Sequence, residues 1–281
     1  MPSRRPVRRT APGPHALGAQ WAGEIFSHVS GEGGRMSFDA LGRKFKLKGR
    51  PELIRTALIG ALQDDDRFDI GEQHLSIRPP KPAPFKTRLD QLPVVLFDFE
   101  TGGSIPGRDR AIELGMVALE NGRITHEWES LFNPGGSAVN HYVLKMTGIK
   151  MGDLRKAPTF EEMAGEIQAF IGHDVLIAHN LAFDKRFLDA EMYHSTGFIP
   201  LNPAICSFQL ARRLLPNVSS RGVEGLCNYF GLETGKRHRA LDDTRATALI
   251  WQKLLEVAFD HGHENFGQLW EVLGQHLPDA R

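Results

Sequence analysis

The sequence predicts an α/β domain preceded by a much smaller helical unit closed by a β-hairpin. Three observations predict it. From residue 93 onward, apolar runs of strand length alternate with amphipathic stretches of helix length. Ahead of them, RPPKPAPFKTRLDQLP (78–93) cannot hold a regular helix and reads as a semi-rigid linker, bounded at 79–92. The charge is also divided: residues 1–92 hold 16 Lys+Arg against 10 Asp+Glu, and residues 93–281 hold 18 against 24. A basic module facing nucleic acid, joined to an acidic one, is the reading we take, with an uneven scatter of surface charge as the alternative.

The chain of 281 residues is 41% hydrophobic and 24% charged, in the range of soluble globular proteins of one or two domains. It has no run of about 18 apolar residues, so no transmembrane helix and no membrane partner are expected. Residues 1–19 carry a signal peptide's basic charge without its apolar stretch, and read as a disordered tail of a cytoplasmic protein. Cys206 and Cys227 lie in apolar contexts without metal-ligand spacing. Buried reduced thiols are the reading, a disulfide the alternative.

Within 20–78, WAGEIFSHV is a short helix and SFDALGRKFKL a second, with Ser37 placed to cap it. After a turn at Gly49, Pro51 opens PELIRTALIGALQDD, with Leu53, Ile54, Ala57, Leu58, Ala61 and Leu62 on one face. RFDIGEQHLSIR alternates Phe68/Ile70 and Leu75/Ile77 about a glycine turn, as a hairpin does. Three helices and a hairpin resemble a winged helix-turn-helix. Arg43, Lys44, Lys46, Lys48 and Arg50 then fall at the turn before the third helix, close to a duplex backbone. Docking of a protein is the alternative use.

From 93 to 258 the order begins with strands VVLFDFE, AIELGMVAL and THEWESLFN, then helix TFEEMAGEIQAFI, where Thr159 and Glu162 have capping-box spacing. Strand DVLIAHN leads into helix FDKRFLDAEM, followed by CSFQLARRLL, SSRGVEGLCNYFG and the long DDTRATALIWQKLLEVA. Residues 259–281 read as a helical extension.

The first of these strands ends on Asp98 and Glu100. Positions i and i+2 share one face of a strand, where like charges repel and raise each other's pKa. Chance alone gives roughly four acid-x-acid pairs at this composition, and four occur. The pair therefore counts only by context: it ends an apolar strand before a Thr-Gly-Gly turn, where α/β sheets bind ligands. Asp184 follows another buried strand at a helix start, where a plain cap is the alternative. Asp242 and Asp243 open the closing helix, one of them expected to cap it, and His238 lies five residues before Asp243.

Together the three segments resemble, in order and spacing, the motifs of the DEDDh 3′–5′ exonuclease superfamily. D-x-E-T is Asp98-Phe99-Glu100-Thr101, H-N-x-x-F-D is His179 to Asp184, and H-x-A-x-x-D is His238 to Asp243. The resemblance runs over about 93–258. It implies a ribonuclease-H-like domain with a mixed central sheet, in which Asp98, Glu100, Asp184 and Asp243 hold two Mg²⁺ or Mn²⁺. His238 acts as general base, Glu100 shares the catalytic work, and Phe99, Thr101, Gly102, Ile149 and Asn180 lie against the terminal nucleotide. The substrate implied is the 3′ end of single-stranded or frayed DNA or RNA, with duplex a further partner for residues 20–78 and a homodimer a possible state. Gly102 stands where the family commonly has a second Thr, which is expected to loosen the turn; Ser207 replaces a usual Thr.

The chemistry fits those residue types. Phosphodiester hydrolysis gains from two cations about 4 Å apart, one on the nucleophile and one on the leaving group. Hard carboxylate oxygens suit Mg²⁺ or Mn²⁺, and histidine titrates nearest neutral pH among side chains. The alternatives are a catalytically silent nucleic-acid-binding regulator and a proofreading subunit that depends on a separate polymerase.

Overall fold

The computed structural model describes residues 24–26, 28–29, 32, 34–47, 49–62, 68–77, 84–197, 199–233 and 238–274. The basic tail, Lys48, most of the first half of the linker and the last seven residues lie outside them.

In the N-terminal unit, residues 24–26 and 28–29 are helical. There follow β1 (Arg35–Ser37), α1 (Phe38–Lys44), α2 (Pro51–Leu62), β2 (Phe68–Ile70) and β3 (His74–Ile77). Ser37 caps α1, its hydroxyl accepting from Ala40 N–H at 3.2 Å, and β2 and β3 form the expected hairpin. The strand β1 pairs with β3 and was not legible: three residues are too few for an alternation to register. On α2 the buried stripe is narrower than the sequence suggests. Ile54, Leu58 and Leu62 enter the core, whereas Leu53 is 64% exposed. One small sheet cannot cover both flanks of the helix.

The larger domain is built on a five-stranded sheet in the order β6-β5-β4-β7-β8. Its strands are β4 (Val94–Thr101), β5 (Ala111–Glu120), β6 (Arg123–Leu131), β7 (Val175–Ala178) and β8 (Ala204–Cys206). The first three run antiparallel, while β4, β7 and β8 are parallel, so the sheet is mixed as expected. The edge strand β8 was not read from the sequence, since three residues running directly into a helix carry no period of their own.

The helices are α3 (His141–Thr147), α4 (Met151–Leu154), α5 (Phe160–Ile171), α6 (Leu181–Thr196), α7 (Ser207–Leu214), α8 (Val223–Phe230), α9 (Ala240–Asp260) and α10 (Phe266–Val272). The Thr159/Glu162 capping box is formed. On one face of the sheet, Val95, Phe97 and Phe99 pack with α5 and α6. On the other, Val94 and Leu96 pack with α7, α8, α9 and α10. Strand alternation therefore aims Asp98 and Glu100 at the α9 side. Cys206, partly exposed, and Cys227, buried, form no disulfide. Among the described residues, no helix is long and apolar enough to cross a membrane.

The last part of the stretch read as linker is bound to this domain. The Phe85 ring stacks on Phe266 at 5.5 Å and meets Trp270 edge-on at 5.7 Å. Phe266 N–H donates to Thr87 O, and Leu89 N–H to Glu264 O, both at 3.0 Å. Phe266 and Leu269 of the C-terminal extension are fully buried in the same core.

A partly buried ion pair joins the start of β5 to the helices. Arg110 Nη2 meets Glu191 at 2.8 Å and Glu161 at 2.7 Å, and Ala111 N–H donates to Glu191 at 2.7 Å. Glu191 is 3% exposed. Replacing Glu191 with alanine leaves the Ala111 N–H without its acceptor and the Arg110 guanidinium with Glu161 alone, so denaturant unfolding should show a loss of about 2 kcal/mol.

Candidate active site

Four segments converge at the carboxyl end of β4. Asp98 is directly opposite Gly115 of β5, and Glu100 directly opposite Glu113. Opposed residues of an antiparallel pair share a face, so both acids look toward the start of α9. Gly115 allows that approach: a Cβ there would collide with the backbone of Ala240 and Leu241. Thr244 Oγ1 closes the seam by donating to Gly115 O at 3.1 Å.

Neither Asp242 nor Asp243 caps α9, contrary to expectation. Both lie in its first turn, and the N-cap is Arg239, without a side-chain cap bond. The carboxylate that serves the helix comes from Glu113, 1% exposed, whose Oε2 accepts from Ala240 N–H at 3.0 Å. Its Oε1 accepts from Arg239 Nε at 2.9 Å and Nη2 at 2.6 Å. Asp243 is left for another task, and one of its oxygens accepts from His238 N–H at 2.9 Å. His238 has φ +60°, the left-handed region that non-glycine residues avoid. Such strain persists where the surroundings over-determine it, and here the clamp on Arg239 and the bond to Asp243 bracket the residue.

Asp184 sits in the first turn of α6 and is 3% exposed; its carboxylate accepts from Phe99 N–H at 3.2 Å rather than capping the helix. Phe99 thus serves the site through its backbone. Its ring, expected against the nucleotide, lies instead in the core beneath the sheet, 6.2 Å from Phe97 and 6.4 Å from Phe160, because an odd position on β4 faces away from the acids. His179 ties the end of β7 to its neighbours, with Nδ1 3.0 Å from Ser207 Oγ and Nε2 2.9 Å from Arg221 O. Asn180, at the N-cap of α6, makes no cap hydrogen bond and is exposed.

The Thr-Gly-Gly turn is not loose. Thr101 Oγ1 donates to Gly103 O at 2.6 Å, Gly102 N–H to Arg110 O at 2.8 Å, and Asn140 N–H to Gly102 O at 2.8 Å. A Cβ on Gly102 would press on Ala138 O at 3.2 Å, so the segment before α3 fits against this glycine. Ile149 is buried with Ile112 and Leu154 in a small cluster beyond α3.

Burial pushes the Glu100 carboxyl up to about 7, helped by the charges of Glu113, Asp243 and Asp184 and opposed by Arg239. Burial likewise raises Asp184 to about 7, against the hydrogen bond from Phe99. Glu100, His238 and Asp243 each present a ligand atom, all within 4.8 Å of one another. Carboxyls raised by burial and by one another's charge gain from added positive charge, and oxygen donors so placed fit a hard divalent cation. Glu113, Arg239 and Gly115 were missed by sequence reasoning. The one signal was IELG facing DFE across the sheet, and that needs the strand register.

The chain is similar to known proteins over this same region. The sequence profile of the family described as Exonuclease, RNase_T, matches residues 95–251. DNA polymerase III PolC-type of Bacillus subtilis is 32% identical over 188 residues, 66% of this chain, and that of Halalkalibacterium halodurans is 33% identical over 187. The match spans only 13% of either polymerase's length. Among solved structures, exonuclease X in complex with 5′ overhanging duplex DNA aligns with TM-score 0.51 at 23% identity, covering 64% of this chain and 99% of that one. Escherichia coli exonuclease I with a dT13 oligonucleotide aligns with TM-score 0.54 at 17% identity, covering 61% and 43%. These two share the fold, a mixed sheet with helices on both faces. With the profile covering both strand-end acids and the start of α9, the chain belongs to the RNase_T exonuclease family.

Proposed function

We propose that this protein is a metal-dependent 3′–5′ exonuclease acting on the 3′ end of single-stranded or frayed DNA or RNA, releasing nucleoside 5′-monophosphates. The observation that carries it is the approach of Glu100, His238 and Asp243 within 4.8 Å, on segments distant in sequence. Asp98, Glu100, Asp184 and Asp243 would hold two Mg²⁺ or Mn²⁺, which when bound neutralise phosphate charge and lower the pKa of a bound water. His238 takes the proton as water oxygen attacks phosphorus and the bond to the 3′ oxygen breaks. Arg239, drawn aside by Glu113, keeps the strained His238 loop in place. Thr101, Gly102, Asn180 and Ile149 border the terminal nucleotide, and the N-terminal unit holds nucleic acid beside the catalytic domain. Proofreading beside a separate polymerase is the second reading, favoured by the PolC-type relatives.

The test is a 5′-labelled single strand of DNA, and of RNA of the same sequence, with Mg²⁺, Mn²⁺ or EDTA. A ladder shortening from the 3′ end is expected, abolished by EDTA and lowered at least ~10³-fold in Asp243→Ala. Binding without any cleavage would remove the enzyme reading.

A further inference from the structure

We propose that Arg43, Lys44, Lys46 and Arg50 form a docking surface for the phosphate backbone of duplex nucleic acid, one that does not read its sequence. All four side chains are exposed, and among the described residues none forms an ion pair or a side-chain hydrogen bond. Four uncompensated cations within eight positions are drawn to a polyanion.

The turn that follows α1 is hydrogen-bonded back to the helix. Phe45 N–H donates to Leu41 O and Leu47 N–H to Gly42 O, each at 2.9 Å, closing α1. Lys46 is held at φ +52°, and Gly42 brings α1 against Ile54 of α2. Cations on a fixed turn lose less entropy on binding than cations on a free tail.

The neighbouring surfaces decide the class of partner. The exposed positions of α2 are Glu52, Leu53, Thr56, Ala57 and Gly60. Bidentate recognition of base edges needs Arg, Lys, Asn or Gln, and these exposed positions have none, while the half-buried Arg55 is held by its Nε donating to Gly71 O at 2.8 Å. Single-strand grooves interleave cations with exposed aromatic rings on which bases stack. Here Phe26, Phe38, Phe45 and Phe68 are turned into the unit's own core, and no aromatic ring among its described residues is exposed. What remains is charge at a fixed spacing, which suits a duplex backbone. This deepens the proposed function: the catalytic domain would take the 3′ end while the N-terminal unit grips the adjoining duplex.

The experiment uses the full chain in EDTA, measuring fluorescence anisotropy with blunt duplexes of two unrelated sequences, as DNA and as RNA, beside a single strand. The variant carrying Arg43→Gln, Lys44→Gln, Lys46→Gln and Arg50→Gln should weaken every duplex it binds about tenfold or more. It should also lower the slope of log Kd on log salt by roughly 3 to 4, leaving single-strand affinity in place. Leu53→Ser should leave duplex binding unchanged. An unaltered salt slope in the fourfold variant, equal loss of single-strand affinity, or a greater than tenfold preference between the two sequences would overturn the proposal. So would loss of duplex binding in Leu53→Ser. Intact duplex binding by a wild-type protein that yields no ladder on single strands would sink the nuclease reading alone.

Discussion

Glu113→Ala should destabilise the protein by roughly 3–5 kcal/mol and lower turnover on the order of 100-fold at temperatures where it remains folded. Two costs combine. The Arg239 guanidinium loses the partner that now meets both its Nε and Nη2, and the Ala240 N–H at the start of α9 loses its acceptor. The effect on rate follows from position, because His238 and Asp243 lie on either side of that anchored turn. Glu113→Gln keeps an acceptor oxygen and should recover much of the stability. Denaturant unfolding and single-turnover kinetics on the three proteins would measure both. A variant as stable and as fast as wild type would show that the clamp carries nothing.

Glu100→Gln should do the reverse to stability while abolishing hydrolysis. The Glu100 carboxyl, with an ordinary value of 4.5, is pushed up to about 7 in the fold. Between these values the native state binds more protons than the unfolded chain, so stability falls as pH rises through that window. Above 7 the penalty is complete, about 3 kcal/mol; below 4.5 it is absent. Asp184, raised from 3.8 to about 7, acts in the same direction. In EDTA at pH 8 the Gln variant should therefore melt above the wild type, with the gap closing by pH 4.5. Added Mg²⁺ or Mn²⁺ should raise the wild-type Tm much more than that of the variant, since binding to the native state alone stabilises it. A lower Tm for the variant at pH 8 in EDTA would mean that Glu100 is not held against repulsion.

Sites built this way set function against stability. Asp98 and Glu100 end a strand that is otherwise apolar, and each further acid brought to them by α6 and α9 adds repulsion that a bound cation would relieve. The ion pair of Arg110 with Glu191 and the clamp of Glu113 on Arg239 act oppositely, since each joins β5 to a helix that bears a site carboxylate.

Local physics alone determined much of this protein. Strand and helix periods, the Ser37 cap and the Thr159/Glu162 box are properties of contiguous residues, so the α/β class could be read directly, whereas the acids stood out only through the resemblance of three motifs to a family. Short strands such as Arg35–Ser37 and Ala204–Cys206 could not be read, because pairing partners rather than their own pattern hold them extended. Which face of β4 meets α9, and hence that the Phe99 ring leaves the site, depended on the register and packing of the sheet. The tertiary structure alone decided that Glu113, 126 positions before Arg239, would serve the start of α9 in place of that helix's own aspartates. A hydrogen bond between residues so far apart depends on strand register and helix approach, and neither leaves a period in the chain.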